Sequence, residues 1–135
     1  MRTGFAQREA QLALVALLAA AVALAVTAIT RRHSSDLPKP VGSYTALAGS
    51  SGTKLFGRHT ACGQLIGPTT IGVAHPVLPC GVRVYISYGD KHVLTEVIDH
   101  GPYVPGREFD VTEALATELG LVGVQRIHWS YAQAN

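Results

Sequence analysis

The main part of this chain lacks an excess of either charge. From Ser34 onward seven Lys/Arg face eight Asp/Glu, a net of −1, although the whole 135-residue chain carries +2. The surplus positive charge sits at Arg2, Arg8, Arg31 and Arg32. With no basic stripe, nucleic acid is not an expected partner. Cysteine is scarce too. Cys62 and Cys80 are the two present, with no CxxC or HxxxH spacing beside them. His59, His92, His100 and His128 share no helical or strand spacing, so nothing argues for a metal, and no cofactor is expected. The chain also lacks internal repeats and low-complexity segments.

What the chain does have is one long apolar run. Gln11 to Thr30 reads QLALVALLAAAVALAVTAIT, without a charge. At about 1.5 Å of rise per residue it is long enough to cross a hydrocarbon core of roughly 30 Å. It has no polar face, which argues against a buried helix of a globular domain. No cysteine lies in it or just after it, which excludes a lipid-modified cysteine there. Two readings stay open. One is a cleaved signal peptide, with small residues at Ala21, Ala23, Ala25 and Ala28. The other is an uncleaved anchor. Lys/Arg flank both ends, so charge bias does not set orientation. The expected organisation is a signal peptide or anchor over 1–33, a linker over 34–42 and one domain over 43–132.

Both cysteines fall in the exported part, where an even count favours a disulfide. Closing that loop is worth about 3 kcal/mol in the chain-entropy model. Two buried free thiols are the alternative.

Several short strands are expected. Tyr44 to Ala48 reads as a first strand, Gly49 to Gly57 as a loop, and Ile71 to Ala74 as a short strand. Val82, Val84, Ile86 and Tyr88 alternate with Arg83, Tyr85 and Ser87, the clearest strand signal. Gly89-Asp90 fits a two-residue hairpin turn, with His92 to Ile98 returning. Gly101-Pro102 and Pro105-Gly106 force a loop. A helix is expected over Asp110 to Leu119, with Asp110 as N-cap, Glu113 completing a capping-box-like pattern and Gly120 at the C′ position. Val124 to Tyr131 closes the chain as a strand. Short strands with one helix predict a small β-barrel.

Three segments carry chemistry together. They are Thr60-Ala61-Cys62-Gly63-Gln64, then Gly72-Val73-Ala74-His75-Pro76-Val77-Leu78-Pro79-Cys80-Gly81, then Ile98-Asp99-His100-Gly101-Pro102-Tyr103, followed by Arg107-Glu108-Phe109-Asp110-Val111-Thr112. In this order they resemble the RlpA (rare lipoprotein A) family from roughly Tyr44 to Tyr131. Expansins and MltA lytic transglycosylases have similar barrels. The resemblance implies a mainly β fold, a six-stranded double-psi β-barrel with one short helix, behind the N-terminal hydrophobic helix. It implies a lytic transglycosylase acting on peptidoglycan glycan strands, breaking the β-1,4 bond between N-acetylmuramic acid and N-acetylglucosamine. The muramic 6-hydroxyl attacks its own anomeric carbon, leaving a 1,6-anhydro end. One acid–base residue can serve both proton transfers, whereas hydrolysis usually needs a second carboxylate.

By this resemblance Asp99 is the first catalytic candidate. Its place at a strand end beside a Gly-Pro turn predicts partial desolvation and a raised pKa. The plainer reading is an Asx-turn. His75 matches the family histidine, to orient the acid or bind a sugar hydroxyl; a histidine packed on Pro76 and satisfied by backbone is the alternative. Asp110 matches the family's FD[LV][ST] run, with helix capping favoured and a secondary role near the groove. Gln64 stands where many relatives carry Glu. It cannot transfer a proton, so a non-catalytic, expansin-like glycan binder is the competing reading. Tyr103 is expected in the glycan groove and Trp129 in the core. A Cys62–Cys80 disulfide would tie the Gln64 and His75 loops together. Some relatives add a C-terminal septal-glycan-binding domain, but only Ala132 to Asn135 follow the barrel here. The expected setting is the extracytoplasmic envelope, membrane-anchored or secreted, and the expected state is monomeric.

Overall fold

Strands form where apolar and polar residues alternate longest, and they close on one another. The computed structural model describes the backbone of residues 3–35 and 37–133, and the side chains of 7–27 and 37–133. Asp36 of the expected linker lies outside the described residues, as do Arg2, Ala134 and Asn135. The side chains of Ala28, Arg31 and Arg32 do too.

The chain divides into two units, 1–37 and 38–135. The first contains one helix, α1 (Thr3–Ser35), longer than the apolar run itself. Gln7–Thr27 is apolar and long enough to cross a membrane, with a mean hydropathy of 2.3. A signal sequence has the same profile.

The second unit has six strands: β1 (Pro40–Ser50), β2 (Val73–Ala74), β3 (Arg83–Tyr88), β4 (Lys91–Asp99), β5 (Phe109–Val111) and β6 (Val124–Ala132). They form a closed barrel in the order β1-β5-β2-β4-β3-β6. The β1–β5 and β2–β4 pairs are parallel, and the other pairs are antiparallel. Closure removes the free strand edges that would invite aggregation. Strand β1 is twice the expected length, beginning at Pro40 inside the expected linker and ending at Ser50 inside the expected loop. Its long antiparallel ladder with β6 runs from Pro40–Ala132 to Gly49–Val124, with a bulge between Val41 and Tyr44. The partner strand, rather than local propensity, extends it.

The core fills with the inward positions of these strands: Val73, Val84, Ile86, Val97, Val111 and Ile127. Phe109 is completely buried and packs edge-on to Trp129 at 5.3 Å. Trp129 lies in the core as expected, 8% exposed. A short helix, α2 (Glu113–Leu119), packs Leu115, Ala116 and Leu119 onto the barrel.

One expectation fails here. Asp110 does not cap α2. It is the middle residue of β5, paired with Gly49 on one side and Ala74 on the other. Held in two ladders, its backbone is committed to the sheet. The helix starts only after the strand ends, and Thr112 is the N-cap. Its Oγ1 accepts from the N–H of Leu115 at 3.4 Å and of Gly72 at 3.2 Å. Gly120 ends the helix as expected, in the left-handed region at φ 68 that a side chain would resist.

Thr112→Ala is therefore expected to lower stability by about 1–2 kcal/mol. Urea denaturation of the full chain reads this directly, and an unchanged midpoint would contradict the cap.

Candidate active site

Asp99 is the last residue of β4, where the ladder ends and the chain turns through Gly101-Pro102. It is only 4% exposed. Its Oδ1 accepts two backbone N–H groups, from Ala61 and His100, both at 2.9 Å. Its Oδ2 accepts the phenol O–H of Tyr103 at 2.5 Å. Burial raises the carboxyl's pKa and is the largest single influence. The Tyr103, Ala61 and His100 hydrogen bonds, together with the charge of His100, outweigh it, and the net shift is downward from 3.8. The expected raised pKa is thus corrected: the free domain holds Asp99 as a carboxylate. Tyr103 pays the converse, its phenol pushed up to about 12 by donating to Asp99 and by burial.

A second carboxylate fixes the loop that carries Tyr103. Asp110, 2% exposed, accepts the Tyr103 backbone N–H at 2.8 Å on Oδ2. On Oδ1 it accepts from Arg107 Nε in a buried ion pair. Arg107 also donates to the Ser50 carbonyl at 3.3 Å and lies across Gly49, where a Cβ would come within 2.4 Å of its Nη1. Gly101 is required for close approach: a Cβ there would sit 2.9 Å from the Ala74 Cβ and 3.3 Å from Asp110 Oδ2.

The segment before Gln64 folds over Asp99. Thr60 N–H donates to the Gln64 carbonyl at 2.8 Å, Gln64 N–H to Thr60 Oγ1 at 3.1 Å, and Thr60 Oγ1 to Gln64 Oε1 at 3.2 Å. Gln64 therefore closes its own loop and presents the Ala61 N–H; no hydrogen bond joins its side chain to Asp99. Cys62 and Cys80 form the expected disulfide, with Cα atoms 5.6 Å apart. His100 Nε2 lies 3.6 Å from Cys80 Sγ. These three side chains converge, but a disulfide sulfur is not the thiolate a metal requires.

His75 is brought next to Asp99 by backbone alone, its N–H donating to the Asp99 carbonyl at 3.1 Å. Its buried imidazole turns elsewhere. Nδ1 accepts from the N–H groups of Val77 and Leu78 at 3.2 and 3.1 Å. The proton is thereby placed on Nε2, which meets Glu108 Oε1 at 3.1 Å. The ring packs on Phe109, 4.7 Å away. Backbone thus satisfies Nδ1, as the plainer reading of His75 has it, while Nε2 is satisfied by the Glu108 carboxylate and the ring's packing partner is Phe109.

Arg107 and Glu108 stand in the last motif segment, but the sequence assigned neither of them a role. The signal for Arg107 was present. A carboxylate between Phe109 and Val111 in an apolar strand needs a buried cation, and Arg107 is three residues away. The space beside Asp99 is small. A cavity of about 40 Å³ is lined by Leu55, Arg58, His59, Ile66, Asp99 and Tyr103. A wider cleft of about 520 Å³ lies along Tyr85, His92, His128 and Trp129, near the opposite end of β4.

This barrel, with a buried carboxylate at a strand end, has known relatives. Residues 48–131 match the lytic transglycolase family. The chain belongs to that family. Its RlpA-like relatives include the endolytic peptidoglycan transglycosylase RlpA of Yersinia pestis, 37% identical over 81 residues, 58% of this chain and 22% of the relative. The RlpA of Rickettsia bellii, also named an endolytic peptidoglycan transglycosylase, is 32% identical over 95 residues, covering 67% of this chain and 42% of the relative. The chain thus spans between about a fifth and two fifths of the length of these two RlpA proteins. Among solved structures, Streptomyces papain inhibitor superposes with a TM-score of 0.55 at 24% identity, over 73% of this chain and all of that one, a likeness of fold.

Two outcomes are expected from this RlpA-like site. Arg107→Ala and Asp110→Ala each leave a buried charge unpaired and should each cost about 3–5 kcal/mol. The double variant should cost less than the sum, as a double-mutant cycle by urea denaturation will show; strict additivity would contradict the pair. Separately, Asp99 titrates lower in the folded chain than its ordinary 3.8. Its ionised form stabilises the fold above that value, and this contribution is lost as pH falls through the lower folded value. Asp99→Asn should flatten that part of the acid-unfolding curve.

Proposed function

We propose that this domain is an exported peptidoglycan lytic transglycosylase in which Asp99 moves the protons. The observation that carries the reading is the buried carboxylate at the end of β4, with Oδ1 filled by backbone donors and Oδ2 held by the Tyr103 phenol, beside a cavity that both residues line. Protonated Asp99 gives its proton to the glycosidic oxygen as the C1–O4 bond breaks. The resulting carboxylate takes the proton of the muramic 6-hydroxyl as O6 bonds to C1. No water is consumed and Asp99 is restored, so no second carboxylate is needed. His75 serves by holding the turn from His75 to Leu78 and by orienting Glu108. Asp110 holds the Tyr103 loop, Gln64 holds the Ala61 loop, and the disulfide ties that loop to Cys80. Helix α1 supplies export or a membrane anchor, and the barrel acts as a monomer on glycan outside the membrane.

A second reading is a non-catalytic, wall-loosening glycan binder. It is favoured by Gln64 in the place of the family Glu and by Asp99 resting in its base form.

The test incubates the full chain, in detergent micelles, with peptide-stripped glycan strands. The expected products end in 1,6-anhydro-muramic acid, and Asp99→Asn should lower their rate by at least roughly a hundred-fold. Binding of glycan by both proteins with no product from either would establish the second reading instead.

A further inference from the structure

We propose that Tyr103 is the gate of this site: its phenol both occupies the one oxygen of Asp99 open to substrate and walls the cavity in front of it. The inference rests on the transglycosylase reading for its purpose, but not for its geometry.

Asp99 has two oxygens in different situations. Oδ1 is taken by two backbone donors that belong to fixed structure. Among the described residues, Oδ2 has one donor, the Tyr103 O–H. Any sugar hydroxyl or glycosidic oxygen that exchanges a proton with Asp99 must do so at Oδ2. The phenol already sits there.

Space gives the same answer. The two cavities that touch Asp99 hold about 40 and 10 Å³, and Tyr103 lines both. Such volumes hold a water or two, whereas a ligand pocket needs several hundred Å³. A pyranose ring reaches Oδ2 only if a wall moves. In the larger of the two cavities, Leu55 is half-buried and Ile66 is buried, while Arg58, His59 and Tyr103 are exposed; of these three, Tyr103 is the one whose side chain is hydrogen-bonded to Asp99. The Tyr103 backbone N–H is held by Asp110 Oδ2, and Asp110 is held in turn by Arg107 through Oδ1. The anchor is thus fixed while the ring can rotate out over solvent, a change of side-chain rotamer and not of the loop.

The opening changes the chemistry of Asp99 as well. Removing the phenol takes away the hydrogen bond that most favours the carboxylate and so raises its proton affinity, while the Ala61 and His100 N–H groups stay on Oδ1. The charged and titratable neighbours are His100 on the strand end, His59 and Arg58 on the facing loop, and Asp110 beneath Tyr103. Opening the gate thus shifts Asp99 toward the acid form that the first proton transfer needs. A closed gate keeps the site in its base form.

The test needs no substrate. The full chain in detergent micelles is treated with a water-soluble carbodiimide and an amine, and labelling at Asp99 is followed by peptide mass. Tyr103→Ala should label Asp99 about ten-fold faster than wild type, with Tyr103→Phe between them, while exposed Asp90 and Glu118 label equally in all three. Carboxyl NMR of Asp99 should show its proton affinity rising about ten-fold, one pH unit, in Tyr103→Phe. Equal Asp99 labelling in all three proteins, or an unmoved titration, would overturn the gate. Absence of glycan cleavage by the wild type, with these shifts present, would instead overturn the transglycosylase reading alone.

Discussion

The buried ion pair of Arg107 and Asp110 is the constraint on which the site is built. A carboxylate in the middle of β5, between two ladders, is tolerable only with a cation and hydrogen bonds on its oxygens. Arg107 supplies the cation and the Tyr103 backbone supplies the second bond. In satisfying Asp110, the chain necessarily brings the loop after Asp99 back onto the barrel. Gly49 and Gly101 are small because the guanidinium and the returning loop pass there. The position of the Tyr103 phenol over Asp99 follows from that closure.

At Asp99 two opposed effects meet, and their balance decides the resting chemistry. Burial alone would make it an acid, as a carboxylate in a dry pocket is expected to be. Three hydrogen bonds and a nearby histidine reverse the sign. Two of those bonds come from backbone and cannot be exchanged by a substrate, whereas the third is a side chain on an exposed loop. The site therefore has one replaceable donor. On the proposed reading, displacement of that donor raises the proton affinity of Asp99 and moves a carboxylate at rest toward the acid of the first step.

Much of this was legible in the chain itself. The β3–β4 hairpin followed from strict alternation around Gly89-Asp90, and the end of α2 from Gly120, because both are local signals. One motif carried both Asp99 and Tyr103, and the even cysteine count of the exported part favoured the Cys62–Cys80 disulfide. What was not legible was decided by distant partners. Strand β1 grew past its local signal because β6 offers a full ladder. Asp110 followed by Glu113 satisfied a capping pattern, yet the sheet claimed Asp110 first and Thr112 took the cap. The downward shift of Asp99 comes first from the Tyr103 phenol and then from backbone donors that include Ala61, thirty-eight residues away, and no strand-end argument contains those contacts. His75 was legible as a motif residue, but its partner Glu108 comes from the other side of β2.

In the proposed reaction an intramolecular hydroxyl, not water, attacks the sugar when Asp99 has protonated the bond. Cleavage of glycan strands by the full chain in heavy-oxygen water tests it most directly. The account predicts anhydro ends that carry no solvent oxygen, formed by wild type and not by Asp99→Asn. Labelled reducing ends, or products that persist in Asp99→Asn, would contradict it.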